Sequence, residues 1–157
     1  MIANSPATEQ APAEIVLTRV LDAPRDLVFR MWSDPKHLAE WWGPDGFSVP
    51  VCEIDLRPGG ALRLQMRAPD GSIYPMVGIF TEVVVPERLA FATKVGANEY
   101  LTTVTFAEEN GRTRLTLVTQ LTKGLARSLA NSERGWTQAL ARLGEHLGSV
   151  ENREAAR

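Results

Sequence analysis

Side chains able to act as bases, nucleophiles or metal ligands are sparse in this chain. Its 157 residues include two histidines, His37 and His146, and one cysteine, Cys52. A nucleophilic triad needs a base within hydrogen-bond reach of a Ser or Cys, and a third group to orient that base. Both histidines fall on or near the polar side of helical patterns and read as surface or capping residues. Cys52 sits among strand-forming residues and reads as a buried structural thiol. With Cys52 they are too few for a four-coordinate zinc site, so no metal is expected. A lone cysteine also excludes an intramolecular disulfide. The segment "RPGGALR" (57–63) has a glycine pair but no P-loop or dinucleotide fingerprint, so no cofactor is expected.

The acids divide by position. Asp55, just before "LRPGG", suits a carboxylate that accepts turn N–H groups. Glu53 reads as exposed or paired with a neighbouring basic strand residue. Glu82 is different, because alternation through Met76, Gly78 and Phe80 carries it onto the same predicted inner face. An inward carboxylate has its pKa raised by burial and can orient a ligand or serve as general acid or base. Two structural readings compete: a wet position at the rim, and an ion pair with Arg88 across "VVVPER". Glu82 is the one catalytic candidate, and the question of enzyme activity stays open, with non-catalytic binding favoured.

The elements that must position these residues follow from periodicity. "EIVLTRVL" (14–21) reads as a first strand. In "DAPRDLVFRMW", Pro24 suits a first helical turn, Asp22 or Asp26 suits its positive end, and Val28, Met31 and Trp32 share a face. A second short helix is capped by Asp34, opened by Pro35 and stopped by Gly43 and Pro44. Leu38, Trp41 and Trp42 form its apolar stripe, although adjacent side chains diverge by about 100°. One indole, Trp41, is expected to pack beneath the sheet or against the last helix, with Trp42 nearer a cavity mouth or the surface.

From residue 47 to 120 the period becomes two. In "ALRLQMR", Leu62, Leu64 and Met66 face one way and Arg63, Gln65 and Arg67 the other. Pro50 suggests an edge or a bulge, and Gly78 a bend or a close approach. "APDGS" and "ENGR" are hairpin turns, so consecutive strands should pair antiparallel as a meander. Helical spacing returns near residue 131, where Trp136, Leu140, Leu143 and Leu147 make one stripe with Ala139 beside it and Arg142 off it. That stripe must be buried, and the sheet is its only large partner.

Bulk properties narrow the class. Hydrophobic residues are 44%, charged residues 23% and net charge is −2, the profile of an ordinary globular domain with no nucleic-acid footprint. No apolar run reaches the roughly 18 residues of a membrane span, and the amino terminus lacks a secretory pattern, so a cytoplasmic protein is expected. Residues 1–13 read as a loose tail, 14–148 as one domain and 149–157 as a frayed end.

The order β-α-α, about six strands, then a long helix resembles the START-like (SRPBCC) helix-grip superfamily, which includes Bet v-like proteins. The likeness is closer to its branch related to the C-terminal domain of the activator of heat-shock-protein-90 ATPase (AHSA-type). The residues that carry it are "DAPRDLVFRMWSDPKHLAEWWGP", "EIDLRPGGALRLQM", "PDGSIYPMVGIFTEVVVPERLAF", "TTVTFAEENGRTRLTL" and "GWTQALARLGEHL". The resemblance implies an α+β fold in which a curved antiparallel sheet wraps around the carboxy-terminal helix, often leaving a cavity between them. Relatives include ligand carriers, antibiotic-sequestering proteins, polyketide cyclases and co-chaperones, so fold alone does not fix function. One free-standing domain is expected, without the extra amino-terminal domain of the eukaryotic co-chaperones.

On that architecture the expected cavity wall is Trp41, Trp42, Leu64, Met66, Met76, Phe80, Phe91, Trp136, Leu140 and Leu143. The leading expectation is non-catalytic binding of a small hydrophobic or aromatic molecule. The alternatives are a chaperone-interaction module, with an exposed patch supplied by Trp41 or Trp42 plus nearby charges, and a cyclase or hydrolase using Glu82 or another inward polar residue. Both monomer and homodimer remain open.

Overall fold

The computed structural model describes residues 13–155. Among the described residues seven strands form one sheet: β1 (Ala13–Leu21), β2 (Ser48–Ile54), β3 (Ala61–Arg67), β4 (Ile73–Val84), β5 (Arg88–Val95), β6 (Asn98–Glu109) and β7 (Arg112–Lys123). Between β1 and β2 lie α1 (Arg25–Ser33) and α2 (Pro35–Leu38), and the chain closes with α3 (Ala126–Ala155). The strand order is β1-β7-β6-β5-β4-β3-β2, antiparallel throughout. Strands β2 to β7 are the expected meander, and β1 pairs with β7 from Ala13↔Leu121 to Leu21↔Thr113. The excursion through α1 and α2 therefore carries the chain from one sheet edge to the other. This is the α+β helix-grip fold.

Local chemistry explains the boundaries. The Asp34 carboxylate accepts from the Lys36 amide at 2.9 Å, with Pro35 at the start of α2. Asn110 and Gly111 take φ of 55° and 82°, the left-handed pair that a tight β6–β7 hairpin requires. Pro50 lies on the edge strand β2, where the pairing register with β3 shifts between Ser48 and Val51.

Gly78 answers to a close approach. A Cβ there would lie 2.6 Å from the Ala92 carbonyl oxygen and 2.8 Å from Thr93 Cγ2. Gly78→Val is therefore expected to cost about 1–3 kcal/mol through forced separation of β4 and β5. Urea unfolding checks it, and a change below the experimental scatter would refute it.

Two expectations about α3 and the chain end need correction. The helix spans 30 residues, beginning at Ala126 and not near 131. None of residues 126–134 is buried, so that stretch carries no apolar stripe to reveal it. At the other end α3 passes residue 148, because Val150 extends the buried stripe of Leu143 and Leu147, and Arg30 meets Glu154 at 3.7 Å. The amino-terminal tail expected over 1–13 lies, up to residue 12, outside the described residues.

Candidate functional site

The sheet and α3 do not close on each other along their full length. Near the beginning of α3 they leave an open cavity of about 270 Å³. The β-ladder places its inner rows by register. Phe80, Phe91, Thr102 and Thr119 are successive partners across β4, β5, β6 and β7. The next row is Gly78, Thr93, Tyr100 and Leu121, and the row beyond includes Met76, Val95 and Asn98. Side chains one row apart in strand spacing thus present a graded wall to the space under the helix.

Five of the expected residues line the cavity: Trp42, Met66, Met76, Phe91 and Trp136. The other five do not. Trp41, Leu64, Phe80, Leu140 and Leu143 are packed into the solid core, each 2% exposed or less. The indole of Trp41 is fixed there by a 3.1 Å hydrogen bond from Nε1 to the Met31 carbonyl. Trp42 is buried as well, at 6%, but its ring borders the cavity, 4.9 Å from Trp136 and 6.2 Å from Phe91 between centroids.

Glu82 does not face inward. A bulge between Phe80 and Glu82 inserts Thr81 as an unpaired residue, so Val83 takes the inner face and Glu82 the outer one. Its carboxylate accepts from Arg88 Nε at 2.8 Å, with both side chains nearly half exposed. The catalytic candidate is thereby an outer-face ion pair. Glu53 pairs with Arg63 at 2.6 Å on the same outer side, and Asp55 with Arg57 at 2.9 Å.

The cavity also has a polar end that attention to apolar residues missed. Thr93, Thr102 and Thr119 are buried, and Asn98, Tyr100 and Ser132 join them. Strand alternation carries the signal, since Thr102 shares a face with Val104 and Phe106, and Thr119 with Leu115 and Leu117. The Thr102 and Thr119 hydroxyls lie 2.7 Å apart. Burial pushes the Tyr100 phenol above its ordinary pKa, so at neutral pH it keeps its proton and can donate.

The cavity mouth is held by a polar seam on α3. Gln138 accepts from the Asp45 amide at 3.0 Å, and Arg142 reaches the carbonyls of Trp41, Trp42 and Gly43. One helical turn on, His146 Nε2 lies 3.0 Å from His37 Nδ1 on α2. The two histidines are therefore a tertiary contact and not separate surface groups. Desolvation lowers the His146 pKa first, and the nearby His37 and Arg153 lower it further against the opposing effect of Glu40. A histidine with a depressed folded pKa leaves the unfolded chain to take up the proton first as pH falls. Stability is thus expected to be level above the ordinary value of 6.5 and to decline below it. His146→Gln should flatten that decline in urea midpoints measured from pH 8 to 5, and an unchanged slope would remove His146 as its source.

Cys52 packs part-buried against the core, where desolvation, then Asp34 and Glu53, push its thiol up to about 11. In native protein at pH 8 its alkylation is expected to be about tenfold or more slower than in the urea-unfolded chain. Equal rates would contradict the burial argument. Among the described residues no group of three or more His, Cys, Asp or Glu is placed to hold a metal ion. None of their helices is long and apolar enough to cross a membrane.

A curved antiparallel sheet gripping one long helix over an internal cavity defines a START-like, SRPBCC-type domain. The chain belongs to the family of activator of Hsp90 ATPase homolog 1-like proteins, whose profile matches residues 22–148. It is similar to the solved structure of protein CV1439 from Chromobacterium violaceum, with 31% identity, coverage of 86% of this chain and 96% of that one, and a TM-score of 0.80. Protein NE0264 from Nitrosomonas europaea is 26% identical over 88% and 96% of the two chains, with a TM-score of 0.79. An AHSA1 protein from Silicibacter pomeroyi is 27% identical over 87% and 99%, with a TM-score of 0.76. No curated protein matches the chain by sequence.

Proposed function

We propose that this protein binds a small, mainly apolar or aromatic molecule in the cavity between sheet and α3, without chemically converting it. The observation that carries this reading is the convergence of Trp42, Met66, Met76, Phe91 and Trp136 on open space. Apolar side chains facing a void forgo dispersion contacts that a bound ring would restore. Two thioethers beside two indoles make an adaptable wall. The volume sits just below the usual range of roughly 300–1,000 Å³ for ligand sites, which suits a small guest. Titration of a diverse apolar library, followed by NMR of the indole N–H groups, should shift Trp42 and Trp136 with a Kd below about 1 mM. If no compound binds that tightly and the cavity proves filled by side chains, the reading fails.

A second reading is docking to a chaperone, in line with the family. It is favoured by the outer face of β4, where Ile73, Val77 and Ile79 are exposed and Val77 is flanked in register by Arg63 and Lys94. A pull-down with the host chaperone and its ATPase rate with and without this protein decide it. No complex and no rate change would dismiss it.

A further inference from the structure

We infer that the cavity selects an uncharged, two-ended ligand: an aromatic body against Trp42 and Trp136, and a hydroxyl- or carbonyl-type head at the threonine–tyrosine end. This rests on the binding reading above and narrows it to a chemical class.

The first support is the charge of the wall. Among the described residues, no Asp, Glu, Lys, Arg or His contributes to the cavity lining. A carboxylate or ammonium group placed there would lose its hydration and meet no counter-charge, which is the costly way to bury an ion. Two charged groups close by have partners elsewhere: Arg142 holds Asp45 and the carbonyls at the mouth, and Lys123 is 3.8 Å from Glu99.

The second support is the polar end itself. A bond between the Thr102 and Thr119 hydroxyls uses one of their two protons, which leaves the other free to donate. Thr93 turns its methyl toward Gly78, close to where a Cβ on that glycine would sit. Tyr100 contributes a protonated phenol, and Asn98 an amide able to donate or accept. By register, Asn98, Tyr100, Thr102 and Thr119 lie on the β6–β7 side of this wall and Met66, Met76 and Phe91 on the β3–β5 side, with Trp42 6.2 Å from Phe91 and 4.9 Å from Trp136. A purely apolar guest would leave the polar end without partners, and a charged guest would overshoot what neutral dipoles can solvate.

Four probes of one shape test the inference by calorimetry and indole N–H shifts at pH 7.5: naphthalene, 2-naphthol, 2-naphthoate and 2-naphthylmethylamine. We expect 2-naphthol to bind about fivefold tighter than naphthalene, the scale of one net hydrogen bond. It should exceed both charged analogues by about tenfold or more. Thr102→Val/Thr119→Val removes both members of the hydroxyl pair with little change of shape, and Tyr100→Phe removes the phenol. Either variant should shrink the advantage of 2-naphthol over naphthalene, measured as the ratio of the two affinities in the same variant. If 2-naphthoate or the amine binds as well as 2-naphthol, the neutral class is wrong although the cavity still binds ligands. An advantage that survives both variants overturns the assignment of the polar end. If none of the four binds below about 1 mM, the binding reading falls, and this inference with it.

Discussion

Trp32→Ala is expected to lower the unfolding free energy by about 3–5 kcal/mol, among the largest losses that any single substitution here should produce. Trp32 is 1% exposed at the end of α1 and stands at the centre of the aromatic cluster. Its ring lies 4.6 Å from Trp41, 6.3 Å from Trp42 and 6.1 Å from Phe106 in edge-on contacts, and 5.9 Å from Trp136 in a stacked one. Each such pair adds about 0.5–1.5 kcal/mol beyond area burial, so truncation removes both filling and several specific contacts. Two of the neighbours, Trp42 and Trp136, are cavity walls, so the loss should also weaken ligand binding. Trp32→Phe should cost much less. The indole Nε1 is buried and finds no hydrogen-bond partner among the described residues, and phenylalanine removes that donor while keeping most of the ring. Chemical unfolding followed by near-ultraviolet circular dichroism measures both. If alanine and phenylalanine variants were equally stable, the cluster would not be the fold's anchor.

The fold was legible because its elements obey simple periods. In β3, Leu62 and Leu64 are buried while Arg63 and Gln65 are exposed, as alternation alone requires. The Asp34 cap and the Asn110–Gly111 turn likewise depend on local chemistry. The site was less legible, for physical reasons that differ by residue. Glu82 was misdirected by one inserted residue, since a bulge reverses every later side chain and leaves no mark in composition. Half of the expected wall proved to be solid core, because periodicity tells which face a residue occupies but not where along that face the packing ends. The threonines of the polar end lie on the inner face by alternation, but their residue type alone does not tell a buried hydroxyl from an exposed one. His37 and His146 are separated by 109 positions, and only the folded backbone brings their rings together. The adjacent tryptophans illustrate both sides: the expected helix up to Gly43 is only Pro35–Leu38, so Trp41 and Trp42 lie on the turn after it, where one ring enters the core and the other borders the cavity with both buried.

Arg142→Met is expected to destabilise the protein by about 2–3 kcal/mol and to weaken ligand binding at the same time. The residue lies off the apolar stripe of α3, yet its guanidinium does what no apolar residue in its place could. Nη2 donates to the carbonyls of Trp41 at 3.0 Å and Trp42 at 3.2 Å and to that of Gly43, while Nη1 reaches Asp45 at 2.8 Å. These carbonyls lie in the turn beyond α2, outside any helix or strand ladder, so a side chain must supply their donors. The Arg142 side chain is only 23% exposed and Asp45 is 67% exposed, so the two halves of the contact should differ in worth. Asp45→Ala removes a solvent-facing ion pair and should cost below about 1 kcal/mol. Arg142→Lys should recover only part of the loss, because an ammonium group cannot reproduce the planar fork. The same carbonyls belong to the segment that sets Trp42, Gly43 and Pro44 at the cavity mouth, between the grips of Gln138 and His146 on the same face of α3. Released from it, Trp42 should become more accessible to acrylamide quenching, and affinity for an aromatic probe should fall even where the domain remains folded. Equal losses for Asp45→Ala and Arg142→Met would mean that the ion pair, and not the carbonyl grip, holds the mouth in place.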